Sequence, residues 1–217
     1  MNSWRQYRKP EAGEFFVVFA DTSAGGLDYS ACQFLSVTKI DVPIVYHSKK
    51  LATEMTNEIF PLLEKIFDIT RVKPVVAYEN NAGGIFELER LASLNRNGKY
   101  DIFMMPNVGR EDNPEPVKLG WSTNSATRPR MLADLKDAID HKVLKIYDKP
   151  TINELFSFIV NQTSSSWKAQ AEQGAHDDLV MSLAGAWQLY QLADRPSTPI
   201  DQAELPVFKP RDPIIGI

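Results

Sequence analysis

EFFVVFADTSAGG, residues 14–26, decides the fold. The apolar run 15–20 is short and β-prone, ends at Asp21, and is stopped by the TSAGG turn, so it reads as a buried strand with a carboxylate at its end. Working outward, SACQFLSVT (30–38) and VPIVYH (42–47) read as two further strands, joined by links short enough for an antiparallel meander. Residues 53–67 then carry Met55, Ile59, Leu62, Leu63, Ile66 and Phe67 at helical spacing, with Thr53 or Thr56 as candidate caps and Pro61 as a candidate break. PVVAY (74–78) repeats the first design, delivering Glu79 at a strand end before NNAGG turns into a helix over 85–94. DIFMM (101–105) reads as a short strand and 106–123 as a long polar loop or hairpin. Beyond it, the pattern predicts a helix from Ser125 or Thr127 to His141, a strand over 143–147, a short helix over 152–159 and a strong helix over 176–192. No internal repeat is present.

The 217 residues suit one domain with additions: an extension over 1–13, a domain over 14–193, and a tail over 194–217 with five prolines in 24 residues. With 43% hydrophobic and 24% charged residues, this is neither a disordered nor a disulfide-stapled chain. Cys32 is the single cysteine and no apolar run approaches a bilayer-spanning length of about 20 residues, which predicts a soluble protein in a reducing compartment. The basic N-terminal residues are not followed by the apolar segment of a secretory signal. The net charge of −4 lacks the overall basic signature of a nucleic-acid binder. Charge is uneven, however: residues 90–149 carry eleven Lys and Arg against eight Asp and Glu, while 171–217 carry three against seven. The middle of the chain is the part suited to face phosphates.

Asp21, Glu79 and the pair Asp177–Asp178 each interrupt an apolar element at its end. A carboxylate at the edge of a core needs a partner, and several together are neutralised naturally by a hard, oxygen-loving cation such as Mg2+ or Mn2+. Two such ions about 3.5–4 Å apart, sharing Asp21, are able to cleave a phosphodiester without a His or Ser nucleophile. Taken singly, each acid has a plain alternative as a turn or helix-cap residue; the combination favours the metal centre.

Four blocks, Asp21 to Ala31 (DTSAGGLDYSA), Tyr78 to Gly84 (YENNAGG), Gly120 to Thr123 with Thr127-Arg128-Pro129, and Gly174 to Met181 (GAHDDLVM), resemble the nuclease domain of the large terminase subunit of tailed bacteriophages. Order and spacing match over residues 14–192. The resemblance implies an α/β, ribonuclease H-like fold, a mixed central β-sheet flanked by α-helices, and metal-dependent cutting of concatemeric double-stranded DNA during genome packaging. It implies Asp21 as the metal-bridging carboxylate, Glu79 as the second ligand and Asp178 or Asp177 as the third, since neighbours on a helix diverge by about 100°. His176 remains open as ligand, proton shuttle or helix-terminal residue, and Asp28 reads as a turn residue. Arg128, Arg130, Lys118 and Lys136 are candidate phosphate contacts. The same resemblance implies that the segment 107–123 would be an auxiliary hairpin beside the active site. Implied partners are double-stranded DNA, the terminase ATPase domain, the small terminase subunit and the portal protein of the procapsid, in the host-cell cytoplasm and with no membrane involved.

The chain has no G-x-x-x-x-G-K-[ST] phosphate loop, so by this resemblance it is a nuclease domain or a product split from its motor. Two other functions stay in view. An actin- or sugar-kinase-like ATPase would begin with a similar Asp and small-residue turn, but needs two such domains. A docking module for DNA or portal would use the same acids only as caps.

Overall fold

The computed structural model describes residues 3–23, 28–80, 83–105, 118–160 and 176–195. Most of the expected loop, 106–117, and most of the tail, 196–217, lie outside these, as do residues 24–27 and 81–82 and the start of the GAHDD block.

The opening run is strand β2 (Phe16–Asp21), preceded by a three-residue strand β1 (Trp4–Gln6). β3 (Ser30–Ser36) and β4 (Asp41–Ser48) complete the antiparallel meander with β2. On its other side β2 pairs in parallel with β5 (Val75–Tyr78), and β5 pairs in parallel with β6 (Asp101–Ile102). The sheet order is β1-β4-β3-β2-β5-β6, with β9 (Lys145–Ile146) joining β4 beside β1. A second, two-stranded sheet pairs β7 (Met104–Met105) with β8 (Lys118–Leu119).

Both faces of β2 are covered, which is why it reads as an unbroken apolar run. Phe16, Val18 and Ala20 face α1 (Ala52–Thr70) and α2 (Gly84–Leu94); Val17 and Phe19 face α3 (Thr127–Asp140), α4 (Lys149–Val160) and α5 (Asp178–Leu192). α5 is buried along Leu179–Leu189 because it lies between the sheet and α3 and α4. None of the described helices is long and apolar enough to cross a membrane.

Several boundaries differ from the sequence reading. α1 runs through Pro61 without a break, because Pro61 and Asn57, whose carbonyl loses its partner, are both exposed to water. Its start is served not by Thr53 or Thr56 but by Glu54, whose carboxylate accepts the Leu51 N–H at 3.2 Å. α3 is capped by Asn124, whose Oδ1 accepts from Ala126 and Thr127 N–H, rather than by Ser125 or Thr127. α4 begins three residues early, at Lys149, since Pro150 fits a first turn. α5 begins at Asp178, not His176.

Residues 4–6, set apart above as part of an extension, belong to the sheet, and the basic residues around them are tied down. Arg5 forms a two-pronged ion pair with the fully buried Asp148, which also accepts from Tyr7 Oη at 2.6 Å and from the Thr151 N–H at 3.0 Å, capping α4. Arg8 bridges the buried Glu14 and Asp41, and Tyr147 Oη donates to Asp41 at 2.9 Å.

Candidate metal centre

Parallel pairing fixes the first two acids. Ala20 lies opposite Tyr78, and the Glu79 N–H donates to the Ala20 carbonyl at 2.9 Å, so Asp21 and Glu79 leave neighbouring strands at the same end of the sheet. Their carboxyl groups lie close enough to act on each other directly. Burial first, then the charge of Glu79, holds Asp21 well above the usual carboxylate range, with Asp178 and Asp177 adding to the effect.

α5 brings the third group. It crosses β2 at Gly185, where a Cβ would collide with the Phe19 ring, so glycine sets how closely the helix approaches the sheet. Its N-terminus thereby reaches the strand ends that carry Asp21 and Glu79. Asp178 is pushed up to about 6 by burial and then by Asp177, while nearby His176 pulls it back. Asp178 Oδ2 is buried and has no hydrogen-bond partner. Asp177 turns the other way and pairs with Arg128 at the start of α3.

The loops around the centre are built for close approach. Gly84, the first residue of α2, leaves no room for a Cβ against the Glu79 carbonyl, and Thr22 Oγ1 would lie 2.9 Å from one. Trp121 runs beside Glu79: its N–H donates to the Tyr78 carbonyl at 3.0 Å, and Asn80 N–H donates to the Trp121 carbonyl at 2.7 Å. The chain leaving the β7–β8 pair therefore passes directly along the acid centre. At the rim, His176 lies edge-on to Tyr29 at 5.0 Å with Nδ1 3.7 Å from Asp178 Oδ2, and Tyr29 stacks on His47 at 4.3 Å.

Of the candidates from sequence, Asp21, Glu79, Asp177 and Asp178 share one locality, with His176 and Arg128 on its edge. Arg130 and Lys136 lie farther along α3, each beside an acid one turn on. The Arg130 side chain is 82% exposed and lies 3.9 Å from Asp134, and Lys136 pairs with Asp140 on the same helix. Lys118 sits on β8. Asp28 is exposed, and its carbonyl accepts from Ser23 Oγ at 3.3 Å, as a turn residue does. The sequence reading missed Glu154 of α4, whose Oε1 accepts the Val180 N–H at 2.8 Å. Burial, together with Asp178 and Asp177, pushes Glu154 up to about 8 against the pull of that amide.

Among the described residues no three side chains already close on a single point as a ligand shell. The donor set nevertheless fits a hard divalent cation. Asp178 Oδ2 is an acceptor removed from water with nothing donating to it, and Asp21 faces Glu79 where two negative charges repel. A cation relieves both.

No protein-family profile matches the sequence. Among solved structures, the large terminase nuclease from thermophilic phage G20c, with magnesium bound, superposes with a TM-score of 0.61 at 17% identity, covering 87% of this chain and 88% of that one. The chain shares the large-terminase nuclease fold. The Thermus phage P74-26 large terminase nuclease domain gives 0.58 at 18% identity, covering 91% and 90%. The manganese-soaked human cytomegalovirus terminase nuclease domain gives 0.51 at 14%, covering 82% and 83%. The terminase-nuclease fold accounts for the mixed sheet with helices on both faces, the ribonuclease H-like arrangement expected above.

Proposed function

We propose that the chain is a metal-dependent endonuclease acting on double-stranded DNA during viral genome packaging. One observation carries the reading: Asp21 and Glu79 meet at the ends of adjacent parallel strands where α5 delivers Asp178 with a buried carboxylate oxygen that accepts no hydrogen bond. The shared fold with terminase nucleases supports it.

Asp21, Glu79 and Asp178 would hold the cation, Mg2+ or Mn2+, and a pair of ions would share Asp21. Bound there, such ions lower the pKa of an attacking water and offset charge on the phosphate and leaving oxygen. The protein's part is positional. The β2–β5 register sets the spacing of Asp21 and Glu79, and Gly185 sets the depth of Asp178. Arg128 orients Asp177 and places a guanidinium beside the acids, where its fork matches phosphate oxygens. Such contacts carry no sequence information, so weak sequence preference is expected. We assign the acting context to the host-cell cytoplasm, with a packaging ATPase, a small terminase subunit and a portal protein as partners.

The test is cleavage of supercoiled plasmid by the purified chain with Mg2+, Mn2+ or chelator. Cutting that requires metal and disappears in Asp21→Asn supports the assignment. Metal-independent cutting, or cutting unchanged in Asp21→Asn, contradicts it.

A further inference from the structure

The first turn of α5 carries two acids of the candidate centre, and its free N–H groups need an acceptor. Asp177 stands at the N-cap position, yet its carboxylate makes no cap hydrogen bond and is engaged by Arg128. The acceptor comes instead from α4. The Val180 N–H donates to Glu154 Oε1 at 2.8 Å, and the Leu179 amide also bears on that carboxylate. These are the second and third residues of the helix, the positions that an N-cap side chain ordinarily serves.

We infer that Glu154 is a positioning residue for the metal centre: it caps α5 from outside the helix and so releases Asp177 toward Arg128 and Asp178 toward the cation. The inference rests on the nuclease reading above. Its physical basis is a competition for the same amides. An aspartate at the N-cap normally folds back onto its own helix, and here that place is already taken. Removing the Glu154 acceptor returns the amides to Asp177, which swings away from Arg128 and alters the seat of its neighbour Asp178. What matters is the acceptor oxygen and its reach, not the charge; glutamine supplies the same carbonyl oxygen on the same stem, and alanine supplies nothing.

The experiment is calorimetric titration with Mn2+ alone, without DNA, of wild type, Glu154→Ala, Glu154→Gln and Asp21→Asn, with amide hydrogen exchange at Leu179 and Val180 on the same proteins. Mn2+ affinity is expected to fall about 10-fold or more in Glu154→Ala, the usual scale for residues that orient metal ligands, and to match wild type in Glu154→Gln. Amide exchange should accelerate in the alanine variant only. If Glu154→Ala does not fold, Glu154→Asp, one methylene too short to reach, takes its place with the same expectation. Wild-type Mn2+ affinity in a folded Ala or Asp variant overturns the inference, as does a Gln variant as weak as Ala. Wild-type protein that binds no Mn2+, or binds it equally well after Asp21→Asn, overturns the nuclease reading itself and the inference with it.

Discussion

Asp177 and Asp178 are adjacent in sequence and have opposite surroundings. Asp177 is neutralised by Arg128, whereas Asp178 keeps an oxygen buried without a donor and is pushed up to about 6. In plasmid cleavage, Asp178→Asn is therefore expected to abolish metal-dependent cutting, and Asp177→Asn to weaken it while leaving it measurable; equal loss in both would show that the two act alike. Sequence left this choice open, because both residues belong to one helix turn and only the fold reveals which faces Arg128. His47 supplies a pH test at the same scale. Burial, then Arg5, lowers it to about 4 from its ordinary 6.5, so as pH falls the unfolded chain takes up the proton first. Stability attributable to His47 is thus whole above pH 6.5 and is lost progressively toward pH 4. Thermal unfolding from pH 7 to pH 5 should show this loss, and His47→Phe should reduce it.

At the scale of the element, α5 and β2 act as one unit through Gly185 and Phe19. Gly185→Ala should destabilise the protein by about 1–3 kcal/mol in denaturant titration, the range for overpacking a filled core, and should weaken Mn2+ binding by moving Asp178. An unchanged denaturation midpoint would mean that the helix shifts freely. The strand ends of β2 and β5 were legible in sequence because Asp21 and Glu79 each stop an apolar run at a turn. The helix caps were less so: Asn124 and Glu54 won over nearby Thr and Ser residues that were equally plausible by residue type. Glu154 gave no signal, since one acid on an amphipathic helix looks like a solvated face until α5 is packed against it.

Across the whole molecule, the N-terminal residues close the sheet edge that the sequence reading left apart. Arg5 meets Asp148 across 143 positions and Arg8 meets Asp41 across 33, separations that no local pattern reveals. Asp148→Ala removes both the partner of Arg5 and the cap of α4. About 3 kcal/mol of stability should be lost, the lower end for breaking a buried pair, because the Arg5 side chain retains 24% exposure. Asp148 is itself held below the usual carboxylate range, by Arg5, Tyr7 and Thr151 against its burial. Its stabilisation is accordingly present above about pH 4 and lost as pH falls through the lowered folded value. A denaturation midpoint unchanged by Asp148→Ala would separate the N-terminal segment from the fold's stability. The central claim concerns the strand ends where β2, β5 and α5 converge. Anomalous diffraction from a crystal soaked in millimolar Mn2+ tests it most directly. The account predicts manganese held by Asp21 together with Glu79 and Asp178; manganese absent from these carboxylates, or bound only elsewhere on the protein, would contradict it.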